Sequence, residues 1–439
     1  MRRAVVCGLV ACVLIAGCGS DDSESSPGTD ASAVTDPPEV TAAPTTDVTS
    51  STPASVDTTT GTNGSSPEPA AGEPLLIGVT APANSPIFDA SEMLETVAVA
   101  ADYVNNELGG IAGRPIELVS CETDNSPESV LSCASDLIGA APVLVIHGPD
   151  YAGAAATETY AAADMPLIGG AAFIPQEFTA PNRVLFQGWS ASLFPGMAYF
   201  AATELDAENI VAIGFDDPQN QAILAAFMNP VMQRLGLPDL QYVGTPPTSP
   251  DFTTTLATAV SADPDAILAF GLPCEPIVQA YRATGTDIPL VLPDNCTDPS
   301  MLSALGDAAE GVYFVGQLDS PTLSPDDPET QTYQQAVDAY GDGDVRETSI
   351  GLAGFASVLN IHDVLDSYDP DAITSEAVLA EFQAIEAGPN SLIDGDFNCA
   401  TPPLPAFSAL CNVSAWFATV QDGQLTQIGD WADAKALWG

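Results

Sequence analysis

Positive charge is what this chain lacks. Of its 439 residues only 8 are Lys or Arg and 2 are His, against 59 Asp or Glu, for a formal net charge of −51. Gripping a phosphate backbone takes several Lys or Arg side chains, so nucleic-acid binding is excluded. Docking on an anionic lipid surface through basic residues falls with it. Two of the eight, Arg2 and Arg3, sit at the extreme N-terminus; the others are Arg114, Arg183, Arg234, Arg282, Arg346 and Lys435. With two histidines and no Cys-x-x-Cys, zinc has no ligand pattern. No P-loop, no G-x-G-x-x-G opening a helix and no G-x-S-x-G are present, so nucleotide binding and a nucleophile elbow have no support, and no cofactor is indicated. Carboxylates abound, but at this acidity close pairs arise by chance and do not point to catalysis. What is present is apolar: 46% hydrophobic residues and only 15% charged, the composition of a folded protein and not of an acidic disordered chain. At this length two domains, or one two-lobed domain, are expected.

Residues 1–17 read as a secretory signal, a basic start followed by the apolar run Ala4 to Gly17. That run of about 14 residues is too short to span a membrane, which takes about 20. Ile15-Ala16-Gly17-Cys18 resembles a bacterial lipobox, in which the chain is cut before the cysteine and the Cys18 thiol receives a diacylglycerol. Acyl chains there would anchor the mature protein to a membrane, each buried methylene contributing about 0.8 kcal/mol. From residue 18 to 73 the sequence is Ser, Thr, Asp, Pro, Ala and Gly with almost nothing large and apolar. Such a segment cannot bury enough surface to offset its ordering entropy, and it is expected to be a disordered tether.

Six cysteines remain beyond the signal and Cys18: Cys121, Cys133, Cys274, Cys296, Cys399 and Cys411. An even number in an exported chain suggests disulfides. They fall into three local couples, and nearest-neighbour pairing is favoured, each loop worth roughly 3 kcal/mol in the chain-entropy model.

The folded part is expected from about Leu75 onward. Short apolar runs (75–79, 116–119, 143–146, 210–213, 266–270 and 289–292) alternate with helical patterns, such as the Val97, Ala101, Val104, Leu108 stripe closed by Gly109-Gly110 and a helix from Gln219 to Leu235. Strands rich in β-branched residues without polar alternation fit parallel sheets covered on both faces. The series breaks near Gly188, which suggests two doubly wound α/β lobes. In such sheets a ligand sits beyond the carboxyl ends of the strands. Here those ends are Thr80 to Phe88, Gly148 to Gly153, Gly169 to Phe173, Phe215 to Asn220, Gly271 to Glu275 and Pro293 to Cys296, which makes Asp216 and Glu275 candidate ligand-facing acids. His147 follows a strand end, where a structural role is favoured over a place in the cleft; His362 reads as surface or packing.

The run Val104-Asn105-Asn106-Glu107-Leu108-Gly109-Gly110-Ile111-Ala112-Gly113-Arg114-Pro115-Ile116-Glu117-Leu118 resembles the first helix-to-strand turn of type I periplasmic solute-binding proteins. These serve branched-chain amino acid ABC transporters and are similar to the leucine/isoleucine/valine-binding protein. Gly306-Asp307-Ala308-Ala309-Glu310-Gly311-Val312-Tyr313-Phe314 matches the same family's approach to a lobe crossover, and Arg282-Ala283-Thr284-Gly285 falls in register. The resemblance implies two doubly wound lobes with parallel sheets, joined by three hinge crossovers and closing on a small solute. Lobe one would be 75–190 plus 320–410, and lobe two 191–319 plus 411–439, with Ser414 to Val420 as a final strand.

In amino-acid-binding members, lobe-one hydroxyls help hold the ligand carboxylate and a lobe-two acid takes the ammonium. The hydroxyl positions align here with Ala152 and Phe173, which have none; backbone amides of Ala171 and Ala172 are the remaining donors. The acid aligns with Asp294, with capping or solvent exposure as its rival reading. Phe88 and Tyr151 supply aromatic walls. The ammonium half of such a site survives and the carboxylate half is weakened, so the expected ligand is small and polar but not necessarily an α-amino acid: an amide, amine, urea-like or aromatic solute.

The resemblance thus implies an extracytoplasmic lipoprotein on the outer face of the cytoplasmic membrane. It would deliver solute to an ABC transporter permease and would not be an enzyme. A ligand sensor on the same fold is the second reading. The tether carries ten acids and no base, and the region from Pro74 onward 49 acids against six bases, a net of −43. Such a surface steers toward neutral, zwitterionic or cationic solutes, and its self-repulsion is screened by salt over about 8 Å or less. Thermal stability should therefore rise from low to molar salt; melting curves that shift downward would contradict this.

Overall fold

The computed structural model describes residues 69–439 apart from 86–87, 249 and 344, so the signal, lipobox and most of the tether lie outside the described residues. The chain alternates strand and helix from the start: β1 (Leu75–Pro82), α1 (Ser91–Tyr103), β2 (Ile116–Thr123), α2 (Pro127–Ala140), β3 (Leu144–His147), α3 (Gly153–Ala162), β4 (Leu167–Ile168) and β5 (Arg183–Val184). A second series follows: α4 (Ser190–Thr203), β6 (Ile210–Phe215), α5 (Pro218–Ile223), α6 (Asn229–Leu235), β7 (Gln241–Thr245), α7 (Phe252–Ser261), β8 (Ala266–Ala269), α8 (Cys274–Thr284), β9 (Leu290–Pro293), α9 (Pro299–Leu305) and β10 (Tyr313–Gly316). Then come α10 (Pro328–Tyr340), α11 (Ser349–Leu365), α12 (Ser375–Ala384), β11 (Ser414–Gln421), β12 (Gln424–Gln427), β13 (Ala432–Asp433) and α13 (Ala434–Trp438).

These strands form two sheets, one per lobe. The first has the order β2-β1-β3-β4-β5 and is wholly parallel. The second repeats that order as β7-β6-β8-β9-β10 and is parallel that far. Beyond β10 the parallel expectation fails: β11 runs antiparallel to it, and β12 and β13 pair antiparallel to β11. The reason is local. β11 enters from a loop and not from a crossover helix, and Gln421-Asp422-Gly423, with Asp422 at φ +53° and Gly423 at φ +76°, closes a hairpin of the kind only antiparallel strands permit.

Both faces of each sheet are buried. In β3, Leu144 and Ile146 join one core and Val145 the other. In β8, Ala266 and Leu268 face one cluster while Ile267 and Ala269 face the opposite one. Each such valine, leucine or isoleucine contributes about 1.5–3 kcal/mol by leaving water, which is why these strands show no polar alternation in sequence.

The chain passes between the lobes three times: at Gly188–Trp189 between β5 and α4, near Gln317–Ser320 between β10 and α10, and near Leu410–Ser414 before β11. α10, α11 and α12 return to the first sheet, where α11 lies along α1; Thr96 Oγ1 donates to the Gly351 carbonyl at 2.7 Å and Arg346 pairs with Glu92 at 3.1 Å.

The helix expected from Gln219 to Leu235 is instead α5, a π-helical turn over Leu224–Met228, and α6. Pro230 lacks the N–H that a continuous α-helix would use, and a widened turn is one way to absorb that loss. The first helix likewise ends in a π-turn over Val104–Leu108, closed by Gly109 at φ +86°. All three nearest-neighbour disulfides are formed: Cys121–Cys133, Cys274–Cys296 and Cys399–Cys411. Many acids have found a structural place. Asp217, Asp251, Asp298, Asp327 and Asp433 cap helix N-termini, where unpaired N–H groups and the helix dipole favour a carboxylate.

Candidate ligand-binding site

In a sheet of order 2-1-3-4-5 the loops after the first and third strands part in opposite directions, leaving a crevice between them. In the first lobe that crevice lies between the ends of β1 and β3, and an aromatic cluster gathers there. Phe88, from the loop after β1, meets Tyr151, from the loop after β3, edge-on at 5.9 Å between ring centroids. It meets Phe173, from the loop after β4, at 5.2 Å. Tyr151 and Phe173 close the triangle at 5.6 Å. Tyr151 is 39% exposed and the two phenylalanines are half-buried, so the cluster presents ring surface to solvent.

Two residues missed in the sequence complete this arrangement. Asn125, at the end of β2 with φ +66°, donates from Nδ2 to the Phe88 carbonyl at 2.7 Å and to Ser85 Oγ at 2.9 Å. Its Oδ1 accepts from the Tyr151 amide at 3.4 Å, so one side chain ties two aromatic-bearing loops together. Trp189 lies in the first lobe crossover, 6.2 Å from Phe173, with φ +47° and ψ −120°, a conformation that an L-residue adopts only under constraint. Asn125 stands in the turn-forming run Asp124-Asn125-Ser126, a local signal that could have marked it, whereas nothing in a single sequence predicts a left-handed tryptophan.

The loop bearing Ala171, Ala172 and Phe173 is held by a buried ion pair. Arg183 Nη1 lies 3.0 Å from Glu177 Oε1, with both side chains fully buried. Glu177 Oε2 accepts from the Phe173 amide at 2.9 Å and the Ile174 amide at 3.3 Å, while Arg183 Nη2 donates to the Ala171 carbonyl. Burial pushes the Glu177 carboxyl up and the Arg183 guanidinium down, each opposed by the partner's charge. The expectation that both alanine amides are free for a ligand needs correction. Ala171 donates to the His147 carbonyl at 3.0 Å, because Gly170 at φ +74° folds the loop back onto β3. A Cβ at Gly170 would fall 2.1 Å from that carbonyl. His147 is structural: buried, edge-on to Tyr160 at 6.0 Å, and held neutral by a pKa pushed down to about 3, chiefly by burial. Ala152 also has its amide engaged, by Asp150 Oδ1 at 2.8 Å.

The acids taken from the second lobe are placed differently from one another. Asp216 is exposed and accepts from Gln221 Nε2 at 3.4 Å beside Gly244 of β7; Glu275 is exposed in the first turn of α8. Neither is brought to the aromatic cluster by any contact among the described residues. The neighbouring Asp217 caps α5, where its Oδ1 accepts from the Asn220 amide at 2.8 Å. Burial first, and the charge of Asp217 second, push the Tyr151 hydroxyl pKa up. Asp294 is 5% exposed at the end of β9, in the second lobe. It accepts from the Gln317 amide in the second crossover at 3.3 Å and from Ser349 at the start of α11, in the first lobe. Capping of α9, the rival reading, is done by Asp298. Asp294 is thus a contact between the lobes beside the hinge. Two surface depressions, of about 500 and 400 Å³, lie elsewhere, around the β11–β12 hairpin and the end of α4.

Two lobes, three crossings and aromatic walls at the strand-end crevice define a type I solute-binding fold. The chain belongs to the periplasmic binding protein family, whose model matches residues 74–398. It is similar in structure to the branched-chain amino acid transporter substrate-binding protein LivJ from Streptococcus pneumoniae in complex with isoleucine, with a TM-score of 0.65 and 16% identity over 81% of this chain and 99% of that one. The leucine-binding protein LivK from Thermotoga maritima matches with a TM-score of 0.64 and 18% identity over 82% and 99%. A solute-binding protein from R. palustris in complex with benzoate matches with a TM-score of 0.65 and 16% identity over 84% and 99%. No curated protein sequence matches the chain significantly.

Replacing Glu177 with Ala should cost about 3–5 kcal/mol in urea unfolding, because it strands a buried guanidinium; a loss below 1 kcal/mol would show that the pair does not hold the loop. Burial pushes the Asp294 carboxyl up to about 7 from an ordinary 3.8. The folded state therefore holds this proton more tightly than the unfolded state does. Asp294 contributes a loss of stability as pH rises from about 4 through 7. Asp294→Asn should remove that loss and be relatively more stable at pH 8 than at pH 4. His147 contributes the opposite slope between about 3 and 6.5, but it is common to both proteins and cancels in the comparison. Parallel stability–pH curves for the two proteins would refute the assignment.

Proposed function

We propose that this chain is an extracytoplasmic receptor, anchored through an acylated Cys18, that takes a small solute between its lobes and delivers it to an ABC transporter permease. The observation that carries the reading is the aromatic cluster of Phe88, Tyr151 and Phe173 at the switch point of the first sheet; Asp217, at the switch point of the second, adds a charge that acts on the Tyr151 hydroxyl. A ligand touching both surfaces favours the closed arrangement by its extra contacts there, which is all that a trap requires. The tether would leave the lobes free to reach the permease while the lipid stays in the membrane.

The relatives that hold isoleucine and benzoate bind solutes bearing a carboxylate. In this chain the positions that carry hydroxyls in amino-acid binders are Ala152 and Phe173, and the Ala171 and Ala152 amides are already engaged. The reading is therefore of a solute other than an α-amino acid.

A thermal-shift screen against amino acids, amides, amines and aromatic acids tests this. A true ligand at a hundredfold its Kd should stabilise the protein by about 2.7 kcal/mol. Tight binding of leucine or valine would overturn the exclusion of amino acids.

A further inference from the structure

We propose that the solute is a small alkylammonium ion, seated against the partly exposed rings of Phe88, Tyr151 and Phe173 and balanced by the Asp217 carboxylate. This rests on the reading of the cleft as a solute site and deepens it.

The first support is that no free positive charge is available there for an anion. Of the six basic residues beyond the N-terminus, Arg183 is consumed by Glu177 within the loop itself. Arg114 donates to the carbonyls of Glu73, Pro74 and Pro370, and Arg282 to those of Ala308 and Glu310. Arg234 is bound to the Ala436 and Leu437 carbonyls, and Arg346 to Glu92. Lys435 belongs to the C-terminal helix α13, which packs on α4. His147 is buried and neutral.

The second support comes from the other places where an anion would settle. Helix N-termini beside a strand-end crevice attract carboxylates and phosphates. The helices that follow the strands flanking the two crevices are α1, α3, α5 and α8; the starts of α1, α3 and α5 each hold a carboxylate of this chain, and α8 begins after Pro273 with no side-chain cap but with Glu275 in its first turn. Asp89 accepts from the Ser91 amide at 3.0 Å and the Asn84 amide at 3.2 Å. Asp150, buried, accepts from the Ala152 amide at 2.8 Å and from Thr123 Oγ1 at 2.5 Å. Asp217 accepts from the Asn220 amide at 2.8 Å. A ligand carboxylate would find these donors taken and would meet three like charges.

The third support is the wall itself. Ring faces attract a cation through their quadrupole, and the pull grows as water is excluded. Three rings within 6 Å of one another offer few hydrogen-bond acceptors, which penalises a bare ammonium with three N–H donors more than a methylated one. The net charge of −43 from Pro74 onward raises the local concentration of any such cation.

The test is calorimetry and thermal shift on the purified protein with choline and tetramethylammonium. 3,3-Dimethylbutan-1-ol, choline's shape with carbon in place of nitrogen, serves as the neutral control, and isoleucine and benzoate as the carboxylate controls. The proposal expects at least one of the two cations to bind, tighter than the neutral control by tenfold or more, with affinity that falls as salt rises. Tyr151→Leu and Phe173→Leu should each weaken binding by roughly three- to thirty-fold while the unfolding curve stays cooperative. Asp217→Asn, which keeps the α5 cap, should weaken binding and flatten its salt dependence. Equal binding of the neutral control, or unchanged affinity in both aromatic variants, overturns the proposal. So does the failure of both cations while another solute binds, an outcome that leaves the receptor reading standing. If nothing in the wider solute screen binds either, the receptor reading falls with it.

Discussion

Glu177 and Arg183 meet at 3.0 Å without touching solvent, and the shape of the cleft depends on them. Between them they hold the Phe173 and Ile174 amides and the Ala171 carbonyl, so the loop after β4 is fixed at both edges. That loop joins the lobes as well as lining the site: Ala171 packs in the core of the first and Ala172 in a core of the second. Two charges buried this deeply recover their desolvation cost only through good mutual geometry and additional donors, and here both are present. What the pair supplies is position. Phe173 can stand beside Phe88 and Tyr151 because the backbone beneath it cannot shift.

Much of the architecture was legible because burial on both faces leaves a plain mark in the sequence. Runs such as Leu144-Val145-Ile146 and Ala266-Ile267-Leu268-Ala269 have no polar alternation, and the turn glycines fall where left-handed backbone is needed. The three cysteine couples, being short in sequence, left little room for another pairing. The antiparallel edge at β11 was not legible, since a strand's direction depends on how the chain enters it and not on its own composition. At the site, Phe88, Tyr151 and Phe173 come from the family resemblance, which sets them at strand ends that the apolar runs mark. Asn125 stands in a readable turn, but its role, like that of Trp189, comes from a left-handed backbone and from contacts with loops far away in sequence. Asp216 was named from its place after β6; the fold leaves it exposed beside Gly244, while its neighbour Asp217 caps α5.

The acidity looks different once each carboxylate has an address. Several cap helices, Asp150 and Asp217 stand at the crevice, and Asp294 reaches across the hinge to Ser349. None of the three disulfides joins the first sheet to the second: Cys121–Cys133 ties β2 to α2, and Cys274–Cys296 ties the loops after β8 and β9. The third lies within the loop before β11, with both its cysteines packed in the core of the first lobe. Oxidation therefore stiffens each lobe without joining the two sheets, and through Cys411 it also pins the start of the third crossover.

The packing of α11 along α1 sets an order of events for the newborn chain. Thr96 waits for Gly351, and Glu92 for Arg346, partners more than 250 residues away. As the polypeptide emerges N-terminus first, β1 through β5 and α1 through α3 are made long before α10, α11 and α12, which complete the cover of that sheet. The second lobe, whose parallel strands lie within residues 210–316, has most of its partners at hand earlier. The first lobe thus waits for α10–α12 to complete its cover, while the second has its five parallel strands by residue 316 and gains only its edge strands and last helix at 414–438. Until residues 349–384 arrive, the apolar face they cover in the first lobe is exposed to whatever else is nearby, the interval in which long-range topologies are slow and prone to aggregate.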